Sequence, residues 1–176
     1  MHCPKCKKSP ALQGLELEKG LVAAACDSCE GVLLPLLNYR YWVDREPTVE
    51  PRDISSSVVD DNDHALICPK CDHLMIKYQI GLQHVNKVDL CASCDEIWLD
   101  KGEWSLLKQL DIHLQLSRIV TDVWQKDLRQ QRYLTLQKAR YVEILGEDDY
   151  EKIDQFKEWM RSHSKKKIIK QFLLAK

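Results

Sequence analysis

The sequence predicts an α+β protein in which two small four-cysteine β ribbons are followed by a C-terminal helical hairpin. Three observations support this fold class: all eight cysteines of the 176 residues stand in CxxC pairs, the pairs recur at one spacing, and residues 101–176 contain no proline. Charged residues make up 30% of the chain and hydrophobic residues 44%, which is the composition of a folded protein rather than a disordered one.

The cysteine spacing is that of two metal sites. In each set, nineteen residues separate two CxxC pairs, which suits a β-hairpin that brings four thiolates around one tetrahedral zinc ion. We therefore predict two zinc ions, one per ribbon. The predicted ligands are Cys3, Cys6, Cys26 and Cys29 in the first ribbon and Cys68, Cys71, Cys91 and Cys94 in the second. Four thiolates leave no open position for water, which favours structural over catalytic zinc.

The two cysteine sets belong to an internal repeat with one constant displacement along the chain. Cys3-Pro4-Lys5-Cys6 matches Cys68-Pro69-Lys70-Cys71, and Cys26-x-Ser28-Cys29 matches Cys91-x-Ser93-Cys94. A repeat with identical ligand spacing predicts two similar modules, each of which binds its own ion. Between the CxxC pairs of each copy, apolar residues alternate or cluster as in short half-buried strands.

The second copy continues into a tail motif after its last cysteine. Its landmarks are Cys68-Pro69-Lys70-Cys71, Val88-Asp89-x-Cys91-x-x-Cys94 and Ile97-Trp98-Leu99-Asp100-x-Gly102-Glu103. With these residues the stretch resembles the transcription factor IIB-type zinc ribbons of small bacterial proteins, whose tail reads WLD-x-GE. The resemblance implies an association with transcription, because ribbons of this type dock on RNA polymerase.

Both copies depart from the family pattern. The family usually has glycine two residues after the last cysteine, where the second copy has Glu96, so its turn is expected to be built differently. The first copy has Gly31 there, but Val32-Leu33-Leu34-Pro35 replaces IWLD and removes the aspartate that would start a helix. We therefore interpret the first copy as a degenerate ribbon.

These patterns divide the chain into four parts. The first ribbon covers residues 1–45, and an acidic linker with a net charge of −5 covers residues 46–67. The second ribbon, with the start of the first helix, covers residues 68–110, and a helical region covers residues 111–176.

The helical region has its own start and stop signals. Asp100 with Glu103 forms a capping-box pattern that predicts a helix start at Asp100, with a break near Asp111 and an end at Gly146. A second helix is predicted from Asp148, with Trp124 and Trp159 on apolar core-facing stripes. Trp98 and Trp104 are expected to pack the second ribbon against the first helix. The two long helices either fold as a hairpin or pair between two chains.

The charge distribution places candidate contact residues in two regions. Residues 1–100 carry a net charge of −6 and residues 101–176 a net charge of +5, so phosphate contacts are expected mainly in the C-terminal part. Tyr39, Tyr41 and Trp42, beside Arg40 and Arg45, are expected to form an exposed patch. The candidate contact residues for nucleic acid or a partner are Arg40, Tyr41, Trp42, Arg161, Lys165, Lys166, Lys167 and Lys170.

The sequence contains no P-loop, GxGxxG, HExxH or GxSxG motif, so we expect neither an enzyme nor a small-molecule site. It contains no apolar run long enough to span a membrane and no N-terminal signal region, which predicts a cytoplasmic protein without a membrane partner.

The motifs and charges lead to two functional hypotheses. The protein is either a transcription-associated adaptor that binds a protein, or a nucleic-acid binder that uses the basic C-terminal helices. The alternatives are a protein scaffold without nucleic-acid contact and a zinc- or redox-responsive holdase that exposes paired thiols.

Overall fold

The two repeats form one continuous antiparallel sheet in the computed structural model, which describes residues 1–6, 10–45 and 63–175. Most of the predicted acidic linker, residues 46–62, lies outside the described residues. The chain divides into two units, Met1–Arg129 and Gln130–Lys176. The α+β fold class is confirmed.

Each ribbon contributes three strands and a helix to the first unit. The first ribbon contains β1 (Gln13–Glu18), β2 (Leu21–Ala25), β3 (Val32–Pro35) and α1 (Leu36–Val43). The second contains β4 (Ile76–Gln79), β5 (Lys87–Cys91), β6 (Glu96–Leu99) and α2 (Glu103–Gln109). The strand order is β1-β2-β3-β6-β5-β4, so the ribbons meet where β3 pairs with β6.

The pairing of β3 with β6 relates the two ribbons by an approximate two-fold axis. Leu33 pairs with Trp98, which occupies the equivalent position of the second repeat. On one side of this pair Val32 faces Leu99, and on the other Leu34 faces Ile97. Because Val32 corresponds to Ile97 and Leu34 to Leu99, both sides make the same contact, as in an isologous dimer. The chain therefore builds a dimer-like sheet from its own two halves.

The alternation of side chains along β3 and β6 separates two cores on opposite faces of the sheet. One face carries the helices, and its buried residues come from both ribbons. They include Leu21, Val32, Leu34, Leu36, Tyr39, Trp42, Val88, Leu90, Ile97, Leu99, Trp104 and Leu107. The other face carries the cysteines together with Leu33, Leu66, Met75 and Trp98. Leu66 is 3% exposed, so the second ribbon includes residues upstream of Cys68.

Helix α1 forms although the first copy lacks the family aspartate. Pro35 takes the N-cap position with φ −64°, and the helix begins at the next residue. The N–H of Leu36, which a helix start leaves without an intrahelical acceptor, donates to the carbonyl of Asp95 at 2.8 Å. The first ribbon therefore keeps its helix because the neighbouring ribbon supplies the acceptor, which corrects the expectation that the helix start was lost.

Asp100 does not start helix α2. The helix begins at Glu103, after Gly102 in the left-handed conformation with φ +81°. Half of the predicted capping box is present, since Glu103 Oε2 accepts a hydrogen bond from the Asp100 N–H at 2.8 Å. The Asp100 carboxylate instead accepts from the indole N–H of Trp98 at 3.0 Å and pairs with Lys5 of the first ribbon at 3.1 Å. Asp100 thus links the two ribbons.

An aromatic cluster fills the space between α1 and α2. Trp42 is 4% exposed, and its indole N–H donates to the Lys19 carbonyl at 3.2 Å. Its ring lies 5.9 Å from that of Trp104 and 6.2 Å from that of Tyr39, which is 1% exposed. The predicted exposed patch is therefore wrong for Tyr39 and Trp42, because α2 of the other ribbon covers them. The core position of Trp104 is confirmed.

Residues after α2 return to the helix-bearing face of the sheet. The predicted break near Asp111 is confirmed, since this residue has φ +55° and separates α2 from a 3-10 turn at His113–Gln115. Helix α3 (Leu116–Ile119) follows, and both of its terminal residues are fully buried in the core. Residues 111–120 therefore contribute side chains to the core of the first unit.

The C-terminal helices are α4 (Asp122–Leu145), α5 (Glu147–Ser162) and α6 (Lys166–Leu174). Gly146 ends α4 as predicted, and α5 begins one residue before the expected Asp148. No residue of these three helices is buried, and Trp159, predicted to lie in a core, is 50% exposed. In the described part of the chain, no helix combines the length and apolar character needed to cross a membrane.

Replacing Tyr39 by phenylalanine should destabilise the first unit by about 1–3 kcal/mol. The buried hydroxyl donates to the His113 carbonyl at 2.7 Å and accepts from the Leu116 N–H at 3.0 Å, so its removal breaks two buried hydrogen bonds. Urea denaturation measures the change. The control is Tyr41→Phe, since that ring is 62% exposed and its loss should change stability by less than about 0.5 kcal/mol. Equal effects of the two variants would contradict the role given to the Tyr39 hydroxyl.

Candidate metal centres

The eight cysteines converge as two separate clusters, with the grouping that their spacing predicts. Within each cluster the four sulfur atoms lie within 4.8 Å of one another. Sulfur–sulfur separations are 3.6 Å and 3.9 Å in the first cluster and 3.3–3.7 Å in the second. Four sulfurs at about 2.3 Å from a central ion form a tetrahedron with edges of about 3.8 Å. Both clusters therefore fit a tetrahedral metal ion.

The second CxxC turn has the same backbone in both ribbons. The N–H of Glu30 donates to the Cys26 carbonyl at 2.8 Å, and the N–H of Asp95 donates to the Cys91 carbonyl at 2.9 Å. Glu30 and Asp95 are repeat equivalents, and both are left-handed, with φ of 56° and 54°. Because the left-handed residue is the one before Gly31 or Glu96, glycine is not required for this turn. The expectation that the Glu96 turn is built differently is therefore wrong.

Gly31 of the first copy is needed for a different reason, because it lies against the Trp98 ring. A Cβ atom at Gly31 would lie 2.2 Å from Cζ2 of the Trp98 indole. Trp98 is fully buried, so the ring cannot easily move away. It packs on the cysteine-bearing face, rather than against the first helix as predicted. On the other side of the two-fold axis, the equivalent positions are Glu96 and Leu33. Leu33 is smaller than Trp98, which leaves room for the side chain of Glu96.

Ion pairs to buried carboxylates hold the CPKC turns to the sheet. The lysine of each turn reaches an acidic side chain of the second ribbon: Lys5 lies 3.1 Å from Asp100, and Lys70 lies 2.7 Å from Glu96. The two carboxylate side chains are only 2% and 4% exposed. Removal of Lys5, which is 19% exposed, is costly because it leaves the buried Asp100 carboxylate without this cation. The Lys70 side chain is 52% exposed, so solvent screens its pair with Glu96 and weakens it. The repeated lysine therefore has a structural role in both metal centres.

One thiol in each cluster ionises more readily than an ordinary cysteine. Burial opposes ionisation of Cys26, but hydrogen bonds from the backbone N–H groups of Cys29 and Ser28 outweigh it and lower its pKa to about 7. Burial also opposes ionisation of Cys91, and hydrogen bonds from neighbouring thiols and N–H groups lower its pKa to about 7. By contrast, burial raises the pKa of Cys3 to about 11. Each cluster thus offers one thiolate near neutral pH, and a bound metal ion displaces protons from thiols of raised pKa.

The arrangement can hold two metal ions in closed sites. In residues 1–6, 10–45 and 63–175, these are the two groups of ligand side chains with metal-binding geometry. All eight cysteines are free of disulfide bonds, so every sulfur is available as a ligand. Four sulfurs around one ion leave no position for a substrate or water.

The predicted contact residues are mostly exposed and lie outside the clusters. Arg40 and Tyr41 are exposed on α1, where Arg40 approaches Asp95 at 3.8 Å, whereas Trp42 is buried. In the C-terminal unit the exposed candidates are Arg161, Lys165, Lys166, Lys167 and Lys170. Their contact with nucleic acid or a partner stays a prediction.

Comparison of the chain with protein-family models, with curated proteins and with solved structures found no match in any of the three. The two tetracysteine clusters fit tandem zinc ribbons, whereas the resemblance to the transcription factor IIB type stays a prediction from the motif residues.

Replacing Gly31 by alanine should destabilise the first unit by about 1–3 kcal/mol, because the added methyl group overlaps the Trp98 ring. Gly14→Ala is the matched control, since a Cβ there meets nothing within 4 Å and should change stability by less than about 0.5 kcal/mol. Thermal denaturation compares the two variants.

A double-mutant cycle identifies the contact as the cause. Trp98→Phe removes the ring atoms that the new methyl group meets, so the Gly31→Ala cost should fall by at least about 0.5 kcal/mol in that background. Strictly additive effects would show that the two residues do not act on each other.

Proposed function

We propose that the protein is a non-enzymatic zinc protein, in which two structural zinc ions stabilise a framework that serves as a transcription-associated adaptor for a protein partner. The observation that carries this proposal is the pair of closed four-sulfur clusters on one face of a shared sheet. The proposed zinc ligands are Cys3, Cys6, Cys26, Cys29, Cys68, Cys71, Cys91 and Cys94.

Zinc suits these clusters better than a hard cation. Thiolate ligands select soft or borderline ions, and zinc accepts tetrahedral four-sulfur coordination without redox chemistry. Structural zinc contributes about 10–16 kcal/mol to the folding of small peptides, which exceeds the stability of most small domains. A saturated site has no position for catalysis, which supports a structural role.

The C-terminal unit supports the adaptor function. One face of α4 carries Tyr133, Leu136, Tyr141 and Ile144, and the side chains of Leu136 and Ile144 are each 64% exposed. An exposed apolar strip with arginine and tyrosine beside it is typical of protein-binding surfaces. The ribbon half does not favour phosphate, because residues 1–100 already carry −6 and each zinc with four thiolates adds −2. The association with transcription is supported by the tail motif of the second ribbon.

Nucleic-acid binding through the basic segment is the second candidate. Residues 161–176 carry six cationic and no acidic side chains. The five that the structure describes with side chains, Arg161, Lys165, Lys166, Lys167 and Lys170, are exposed. Such a segment can contact phosphates or an acidic protein surface.

The purified protein should contain two zinc ions per chain, measured by native mass spectrometry. Cys26→Ser and Cys91→Ser should each lose one zinc, since each removes the ligand of lowest pKa from its cluster. Because the clusters share one sheet, a chelator should remove the remaining zinc from either variant at a lower concentration than from the parent protein. Ser28→Ala is the control within the same turn, as its side chain is exposed. Unchanged zinc content in both cysteine variants would refute the assignment of ligands.

Binding to labelled DNA and RNA across salt concentrations separates the two candidate functions. If the protein is an adaptor, it should not bind DNA or RNA with sub-micromolar affinity. It should capture a protein partner, and the double variant Leu136→Asp/Ile144→Asp should lose this capture. The control Thr135→Asp, on another side of α4, should retain it. Tight binding that falls steeply with salt would instead favour the nucleic-acid candidate. If nucleic-acid binding is the function, a variant that combines Lys165→Glu, Lys166→Glu and Lys167→Glu should not bind DNA or RNA. Unchanged affinity of this variant would exclude nucleic-acid binding through the basic segment.

A further inference from the structure

A short covering segment, residues 111–120, closes the helix-bearing core of the first unit. It leaves α2 at Asp111, whose left-handed φ of +55° is uncommon for a residue with a side chain. The segment then forms the 3-10 turn and helix α3. Leu116 and Ile119 are fully buried and hold it on the core. Two short helical turns with few apolar anchors are the kind of element that opens before the rest of a domain.

The covering segment carries one histidine into the core. His113 is 7% exposed, and neither ring nitrogen has a hydrogen-bond partner among the residues that the structure describes. Its ring lies edge-on to that of Trp104, with the centroids 6.3 Å apart. The Tyr39 hydroxyl donates to the backbone carbonyl of His113 rather than to the ring, and burial raises its pKa to about 12, so it stays neutral. An imidazolium needs two acceptors for its N–H groups, so this site suits the uncharged ring.

Three charged groups surround the histidine, and their effects partly cancel. Burial lowers the pKa of His113 below its ordinary value of 6.5. The carboxylates of Asp111 on the segment and Glu18 on β1 raise it, and the Lys108 ammonium on α2 lowers it. The Glu18 carboxylate is already engaged, since Oε1 accepts from Lys108 Nζ at 2.6 Å and from the Trp104 indole N–H at 2.8 Å. Burial therefore determines which form of the ring the closed segment accepts.

We infer that residues 111–120 form a pH-sensitive cover, which opens locally from the helix-bearing core when His113 takes up a proton. Opening hydrates the imidazolium and also the Ser117 hydroxyl, a second buried group of the segment that has no partner among the described residues. It uncovers Trp104, which is 6% exposed in the closed form, and breaks both hydrogen bonds of the Tyr39 hydroxyl. The inference goes beyond the adaptor function and does not depend on a partner.

The opening is local because the sheet does not need the covering segment for its pairing. The six strands pair with one another, and the cysteine clusters lie on the opposite face. The direction of the pH effect follows from proton linkage. The closed form has the lower His113 pKa and binds fewer protons, so its stability is complete above about pH 6.5 and falls as the pH drops below that value. Uptake of one proton changes the opening equilibrium by at most about tenfold per pH unit.

Hydrogen exchange of the full zinc-loaded chain tests the inference, at about pH 7.5 and about pH 5.5, on either side of the ordinary histidine pKa. The reporters are the amides of Leu116 and Val120, which donate to the Tyr39 hydroxyl and to the Leu116 carbonyl. After correction for the intrinsic exchange rate, their protection should fall about three- to tenfold at the lower pH. In His113→Phe, which keeps a ring but cannot take up a proton, protection should be equal at both pH values. His113→Leu is a second variant without a titrating group.

The matched control is His84→Gln, which removes a histidine from a loop of the second ribbon and should respond as the parent protein does. The ratio of protection between the two pH values is the readout, so a variant that is less stable at both values still answers the question. Equal protection of the parent at both pH values overturns the inference, as does a fall that persists in both His113 variants. Zinc content is measured on every sample by native mass spectrometry. A fall that extends to the amides of β2 and β5 and accompanies zinc loss assigns the acid response to the metal clusters, and also overturns the inference.

Discussion

The pairing of β3 with β6 is the contact on which the rest of the first unit depends. Each ribbon alone has only three short strands, a sheet too small to bury much apolar surface. By joining two such sheets at their edges, the chain brings apolar side chains from both repeats into one core and covers two strand edges. The same pairing gives helix α1 its acceptor at Asp95 and gives Asp100 its partner at Lys5. Neither ribbon contains these contacts alone.

The metal clusters and the helices stabilise opposite faces of the same sheet. On one face, the cysteines lie at the ends of strands beside a small core that includes Leu33, Met75 and Trp98. On the other, α1 and α2 cover the strands with tyrosine and tryptophan rings. Trp98 belongs to the cysteine-bearing face, between the clusters of the two repeats. The cysteine clusters therefore lie at the ends of the strands, and the apolar packing lies at their middle.

The clusters and helices could be predicted from the sequence because they depend on local spacing. The CxxC pairs, their recurrence at a constant displacement and Gly146 each carry their signal in a few adjacent residues. The joining of the ribbons could not be predicted this way, since strand pairing between repeats is a long-range contact. One signal was present: Val32-Leu33-Leu34 is apolar at consecutive positions, which is typical of a strand buried on both faces. The burial of Trp42 was missed because its cover comes from the other repeat.

The contact of Gly31 with Trp98 makes the two halves of the sheet complementary rather than alike. If two copies of the second ribbon met in this way, each Trp98 would face the side chain of Glu96 instead of a glycine. Two first ribbons would place Leu33 against glycine and leave space unfilled. Each half therefore fits the other half better than it would fit a copy of itself. The sizes of the residues at positions 31 and 98 are consequently coupled, since a large side chain at one position requires a small one at the other.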